Sequence, residues 1–152
     1  LFGEWIPDEF IDKILSHCRK FDNTYLFQSK NPDRIKDFIE DLPKNSIIGT
    51  TLETNRDYGV SKAPNPSQRY KDFSAIEWSR KMVSIEPILD FDLEVILKWV
   101  GEINPEFVSI GADSKKNDLE EPNGEKVEKL IEEIEKITEI RRKKNLNRLL
   151  NN

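Results

Sequence analysis

A chain of 152 residues suits one domain, and 36% apolar against 35% charged residues leaves one compact core under a heavily charged surface. The net charge of −5 argues against general affinity for nucleic acid. One cysteine and one histidine exclude an internal disulfide and a Cys/His metal cluster built by this chain alone, and no apolar run approaches the roughly 20 residues that span a bilayer.

The chain opens on Leu1 rather than Met and reads as a piece of something longer. Pro7-Asp8-Glu9 starts a first helix, since proline suits its first turn and acids suit its positive end. Ile6, Phe10, Ile11, Ile14, Leu15 and Cys18 recur at helical spacing and predict its buried stripe. Cys18 reads as an inert core thiol and His17 as a surface residue. A reducing, cytoplasmic setting is the expectation for a lone thiol.

Residues 24–30 read as a first strand, rich in β-favouring side chains. Asn31 and Pro32 then predict a helix start, with Ile35, Phe38, Ile39 and Leu42 facing inward and Pro43 as the stop. Residues 46–53 form the second predicted strand. A connection of about 14 residues follows, from Thr54 to Ser67, which is the length of a lid or binding loop. The next helix is predicted over Gln68–Ser79, the third strand over Lys81–Ile85 and a helix over Asp92–Ile103. The fourth strand spans 106–111. A long helix then carries Val127, Leu130, Ile131, Ile134 and Ile137 on one face, and Arg141 to Lys144 form a basic tail. Such a tail is more often a solvated face than a nucleic-acid contact.

This order predicts an α/β fold over 1–152, a single domain with four parallel strands alternating with helices and right-handed crossovers. Side chains alternate along a strand. Gln28 and Lys30, then Gly49, Thr51 and Glu53, then Ser84 and Glu86, then Ser109, Gly111 and Asp113 therefore share one face. The opposite positions are mostly apolar and suit a covering of helices. The polar positions line a common surface, as in a barrel or part of one. Three carboxylates, Glu53, Glu86 and Asp113, gather there with Lys30 as the cation. Burying three like charges is costly without a counter-charge. The ring is therefore either an internal ion-pair network around Lys30 or a ligand site at the C-terminal rim. Gly111 reads first as the residue that permits a tight turn.

Five stretches, Leu1-Phe2-Gly3-Glu4-Trp5-Ile6-Pro7, Leu26-Phe27-Gln28-Ser29-Lys30-Asn31-Pro32, Gly49-Thr50-Thr51-Leu52-Glu53-Thr54-Asn55, Val83-Ser84-Ile85-Glu86-Pro87-Ile88 and Val108-Ser109-Ile110-Gly111-Ala112-Asp113-Ser114, resemble a family of uncharacterised phage and prokaryotic proteins. That family is similar to the radical S-adenosylmethionine (SAM) enzymes. The resemblance implies a partial (βα) barrel and, for a full-length relative, SAM and a 4Fe-4S iron–sulfur cluster held by a three-cysteine motif. This sequence lacks that motif and begins beyond the place where it would stand, so the chain alone is expected to be inactive. The resemblance puts Lys30, Thr51, Glu53, Asn55, Ser84, Glu86, Ser109 and Asp113 on the side facing SAM and substrate. No catalytic residue and no metal ligand follows from it.

Three functions compete: the C-terminal part of a radical-SAM-like protein, a non-catalytic half-barrel holding a small molecule or a partner protein, and a nucleic-acid-associated protein using the basic tail. A four-stranded parallel sheet leaves two edges and one face open. The missing N-terminal segment or a second chain is expected to cover the edge of the first strand. A CxxxCxxC upstream of Leu1 would favour the first function.

Overall fold

In the computed structural model, which describes residues 1–115 and 117–151, the four β-favouring runs become strands β1 (Tyr25–Ser29), β2 (Ser46–Thr51), β3 (Lys81–Ile85) and β4 (Phe107–Ile110). A fifth strand, β5 (Glu139–Arg142), lies in the stretch read as a basic tail. All neighbours are parallel and the sheet order is β1-β2-β3-β4-β5. The expectation of four strands is therefore corrected to five. Only Ile140 of the β5 residues is apolar, so propensity gave no signal. The strand is held by its ladder to β4, by Ile140 packed against the core and by the Arg141 guanidinium 3.5 Å from the Phe107 ring centre.

The helices are α1 (Asp8–Cys18), α2 (Asp33–Lys36), α3 (Pro66–Ser74), α4 (Leu93–Ile103), α5 (Gly124–Glu135) and α6 (Asn147–Leu150). A sequential parallel order with right-handed crossovers puts every connection on the same side of the sheet. The apolar strand residues Phe27, Ile48, Val83, Ile85, Val108 and Ile110 share one core with Leu15, Ile35, Phe73, Ile96 and Leu130 of the helices. Tyr70 of α3 stacks on Trp99 of α4 at 4.7 Å, joining two neighbouring crossovers.

Several boundaries differ from the sequence reading. The helix expected between Pro32 and Pro43 splits into α2 and a 3-10 turn at Ile39–Asp41. Pro43 forces Leu42 to an extended ψ of 140°, so no full helix fits before it. The Asn31 amide bonds the Ser29 hydroxyl, and helical residues start at Asp33. Helix α3 ends at Ser74, short of Ser79. Of the predicted α1 stripe, Ile11 and Leu15 are buried, while Phe10 and Ile14 are 53% and 43% exposed. Among the described residues β1 is the last strand on that side of the sheet.

Lys81 enters at the N-terminal end of β3 and is buried. Its ammonium donates to the carbonyls of Phe73 and Ser74 at the end of α3, where the helix dipole favours a cation. Burial still holds its pKa below the usual lysine value. This buried charge stands at the strand-start end, away from the polar ring, and its role is to cap α3.

Candidate functional site at the strand ends

The second strand ends at Thr51, two residues short of the predicted bound, and Glu53 lies just past it with its side chain 2% exposed. Arg69 answers it from α3. Asn65 caps that helix by accepting from the Gln68 amide at 2.9 Å, and Pro66 fits its first turn. The Arg69 guanidinium then reaches the Glu53 Oε2 atom at 2.6 Å, the Thr51 carbonyl at 2.7 Å and the Pro64 carbonyl at 2.7 Å. Lys30, just past β1, forms an ion pair with Oε1 of the same carboxylate, without a hydrogen bond of good direction. One buried carboxylate thus holds two cations. Sequence reasoning paired Glu53 with Lys30 and missed Arg69. The available signal was that Arg69 and Phe73 are four apart on one helix face, and Phe73 is core.

Glu86 follows β3 one strand over. Thr51 pairs with Ser84, so Glu53 and Glu86 continue at the same level of adjacent strands. Their carboxylates nonetheless line different cavities and pair with different cations. Glu86 is about one-third exposed, and its ion-pair partner Lys143 stands at 3.9 Å, beyond hydrogen-bond reach. A side chain at Gly111 would crowd both groups: a Cβ there would lie 2.9 Å from Glu86 Oε1 and 3.0 Å from Lys143 Cγ. Gly111 thus leaves room for the Glu86 and Lys143 side chains as they lie. The segment after Pro87 seals the rim from above. The Ile88 amide donates to the Gly111 carbonyl at 2.8 Å and the Leu89 amide to the Glu53 carbonyl at 3.0 Å.

Below Glu86 the open face of the sheet forms a cleft of about 450 Å³. Gln28, Ser84, Glu86 and Ser109 give it a polar wall, Arg141, Arg142 and Lys143 a basic one, and Met82 and Phe107 lie nearer the strand starts. The face is therefore polar at the C-terminal rim and apolar toward the other end. Thr51 borders this wall by accepting from the Gln28 side-chain amide at 3.0 Å, which fixes the direction of Gln28.

The remaining predicted site residues are committed elsewhere. Asp113 accepts from the Lys115 and Asn117 amides and from the Asn117 side chain. Those bonds hold its pKa below the usual carboxylate value and turn it into its own loop. Asn55 accepts from the Asp92 amide at 2.7 Å and donates to the Asp92 carboxylate at 2.8 Å, which ties the long connection to the start of α4. Arg56 binds Asp90 and Asp92 together, and Lys126 reaches Asp90 at 2.6 Å. The first half of the connection is therefore anchored over the rim, while Val60 is 55% exposed.

This anchoring network sets an acid limit. The hydrogen bond from Arg56 holds Asp92 down to about 2. Burial pushes Asp90 up, but the hydrogen bond and charge of Lys126 and the charge of Arg56 outweigh it and leave Asp90 below its usual value. Each group binds protons more weakly folded than unfolded. Their contribution to stability is complete above about pH 5 and is lost as pH falls toward about 2. Asp92→Asn should therefore lose less of its urea midpoint than the unchanged chain between about pH 6 and about pH 3. Equal losses would remove this network from the account.

Chemically, the cleft offers a part-exposed carboxylate, two serine hydroxyls, an oriented amide and three cations, Arg141, Arg142 and Lys143. That set can accept from hydroxyl or ammonium groups and donate to a polar ligand edge. Among the described residues, no group of three or more His, Cys, Asp or Glu side chains is placed to hold a metal ion. Cys18 is half-buried on α1, and His17 contacts Phe21. No helix among the described residues is long and apolar enough to cross a membrane. No family model, curated protein or solved structure matches the chain.

Proposed function

We propose that this chain is the C-terminal part of a radical-SAM-like protein, a partial (βα) barrel whose strand ends face SAM and its substrate. Sequential parallel strands with helices on one side suit a barrel segment. The resemblance of the strand-end motifs supplies the ligand class. The observation that carries the reading is Glu86: of the three strand-end carboxylates it is the part-exposed one, whereas Glu53 is buried on Arg69 and Asp113 is bonded by the amides of its own turn.

The residues present do not fit an iron–sulfur cluster. Cys18 is one thiol on α1, packed against the core rather than at the rim. A cluster in this setting would have to be supplied by other residues. In this reading Glu86, Ser84 and Ser109 would take the hydroxyl or ammonium groups of SAM, Arg141, Arg142 and Lys143 would face its carboxylate, and Gln28 would meet a polar edge. SAM itself supplies the reactive sulfonium. The role of this chain is to bind and orient.

A second reading, a non-catalytic half-barrel covered by a partner, draws on one observation: Leu26 is 51% exposed on outermost strand β1. Calorimetry separates the two. SAM should bind the purified chain, and Glu86→Gln should weaken it about tenfold or more, since hydrogen bonds to charged groups are worth about 1.5–3 kcal/mol. The thermal midpoint should hardly move, because an exposed ion pair contributes little. Unchanged affinity with a lowered midpoint would assign Glu86 to structure alone.

A further inference from the structure

A separate pocket opens at the end of β1. We infer that it binds an aromatic ring carrying an anionic group, with the ring on Trp5 and the anion on Lys30 and Lys62. Its volume is about 390 Å³, within the range of small-molecule sites. It shares only Gln28 with the Glu86 cleft.

Charge gives the sign of the ligand. Glu53 is claimed by both Lys30 and Arg69, so the three groups together carry one surplus positive charge. Arg69 is 3% exposed and spends its bonds inward, on Glu53 and two carbonyls. The surplus therefore belongs to Lys30, whose side chain is 39% exposed and lines the pocket. Lys62 lines it too, against one carboxylate, Glu4. A local cationic excess stands out on a chain whose net charge is −5.

The flat partner comes from Trp5, which is 83% exposed. Its indole is laid against its own turn rather than left free. The Ile6 amide bonds the Gly3 carbonyl at 3.0 Å, and a Cβ on Gly3 would lie 2.8–3.0 Å from three ring atoms. Only glycine permits that close approach. The result is an exposed aromatic face beside two lysines, an arrangement that stacks a planar ring and holds its anion.

The test uses the Trp5 indole N–H resonance, assigned by its loss in Trp5→Phe, and 5′-AMP as the probe. AMP should shift it saturably, with adenosine and inorganic phosphate each weaker by about tenfold or more. Lys30→Met should weaken AMP by about tenfold, Lys62→Met should weaken it in the same direction, and Lys30→Arg should restore binding. Dispersed amide spectra would confirm that each variant is folded. Glu86→Gln should leave AMP binding unchanged, which separates this pocket from the SAM reading. Equal affinity for AMP and adenosine, no saturable shift, or full binding by folded Lys30→Met together with folded Lys62→Met would overturn the inference.

Discussion

Replacing Arg69 with methionine should cost about 3–5 kcal/mol, a large fraction of the stability of a domain this size. Arg69 is the better-bonded of the two cations on Glu53, and it also satisfies the carbonyls of Thr51 and Pro64. Its loss leaves a 2%-exposed carboxylate with Lys30 alone. A buried charge stripped of a hydrogen-bonded partner is destabilising whatever the pair was worth when intact. The double variant Glu53→Leu/Arg69→Met should therefore lose less than Arg69→Met alone. Chemical denaturation of the two variants checks this ordering. Additive losses would show that the Arg69 guanidinium acts through its carbonyl contacts and not through Glu53.

Leu146→Ala should cost about 2–5 kcal/mol, although the residue sits just past four consecutive basic residues. Its side chain is fully buried, and Leu149 beside it is 7% exposed. Both belong to the same core as Val127, Leu130 and Ile134 of α5. The chain end is thus a fifth strand followed by an apolar clamp. Lys144→Ala, on an exposed side chain, should change stability by no more than about 0.5 kcal/mol. A Leu146→Ala variant as stable as the unchanged chain would return this stretch to the status of a solvated tail.

Four of the five strands were legible because each is a short run of β-favouring residues with apolar side chains on the helix-facing side. The fifth was not, because Glu139, Arg141 and Arg142 carry charges that suit solvent, and pairing to β4 rather than propensity decides their conformation. The polar ring was legible as a set of residues sharing a strand face. What could not be read was which carboxylate each cation would choose. Arg69 reaches Glu53 across sixteen positions of sequence, from a helix whose start depends on the Asn65 cap. Asp113 looked like a ring member by alternation, yet its carboxylate is satisfied within two to four residues by its own turn. Such local bonds override strand-face alternation once the strand has ended. The exposure of Phe10 and Ile14 was hidden for another reason: helical spacing marks an apolar face but does not say whether a neighbour exists to cover it.

Mapping amide shifts on titration with S-adenosylhomocysteine tests the central claim most directly, because it reports where the ligand sits as well as whether it binds. The largest changes should fall at Gln28, Ser84, Glu86, Ser109 and Gly111, around the open-face cleft, and should vanish in a folded Glu86→Gln variant. Changes confined to residues 144–151, or no saturable change at the strand ends, would contradict the assignment of that cleft as a SAM site.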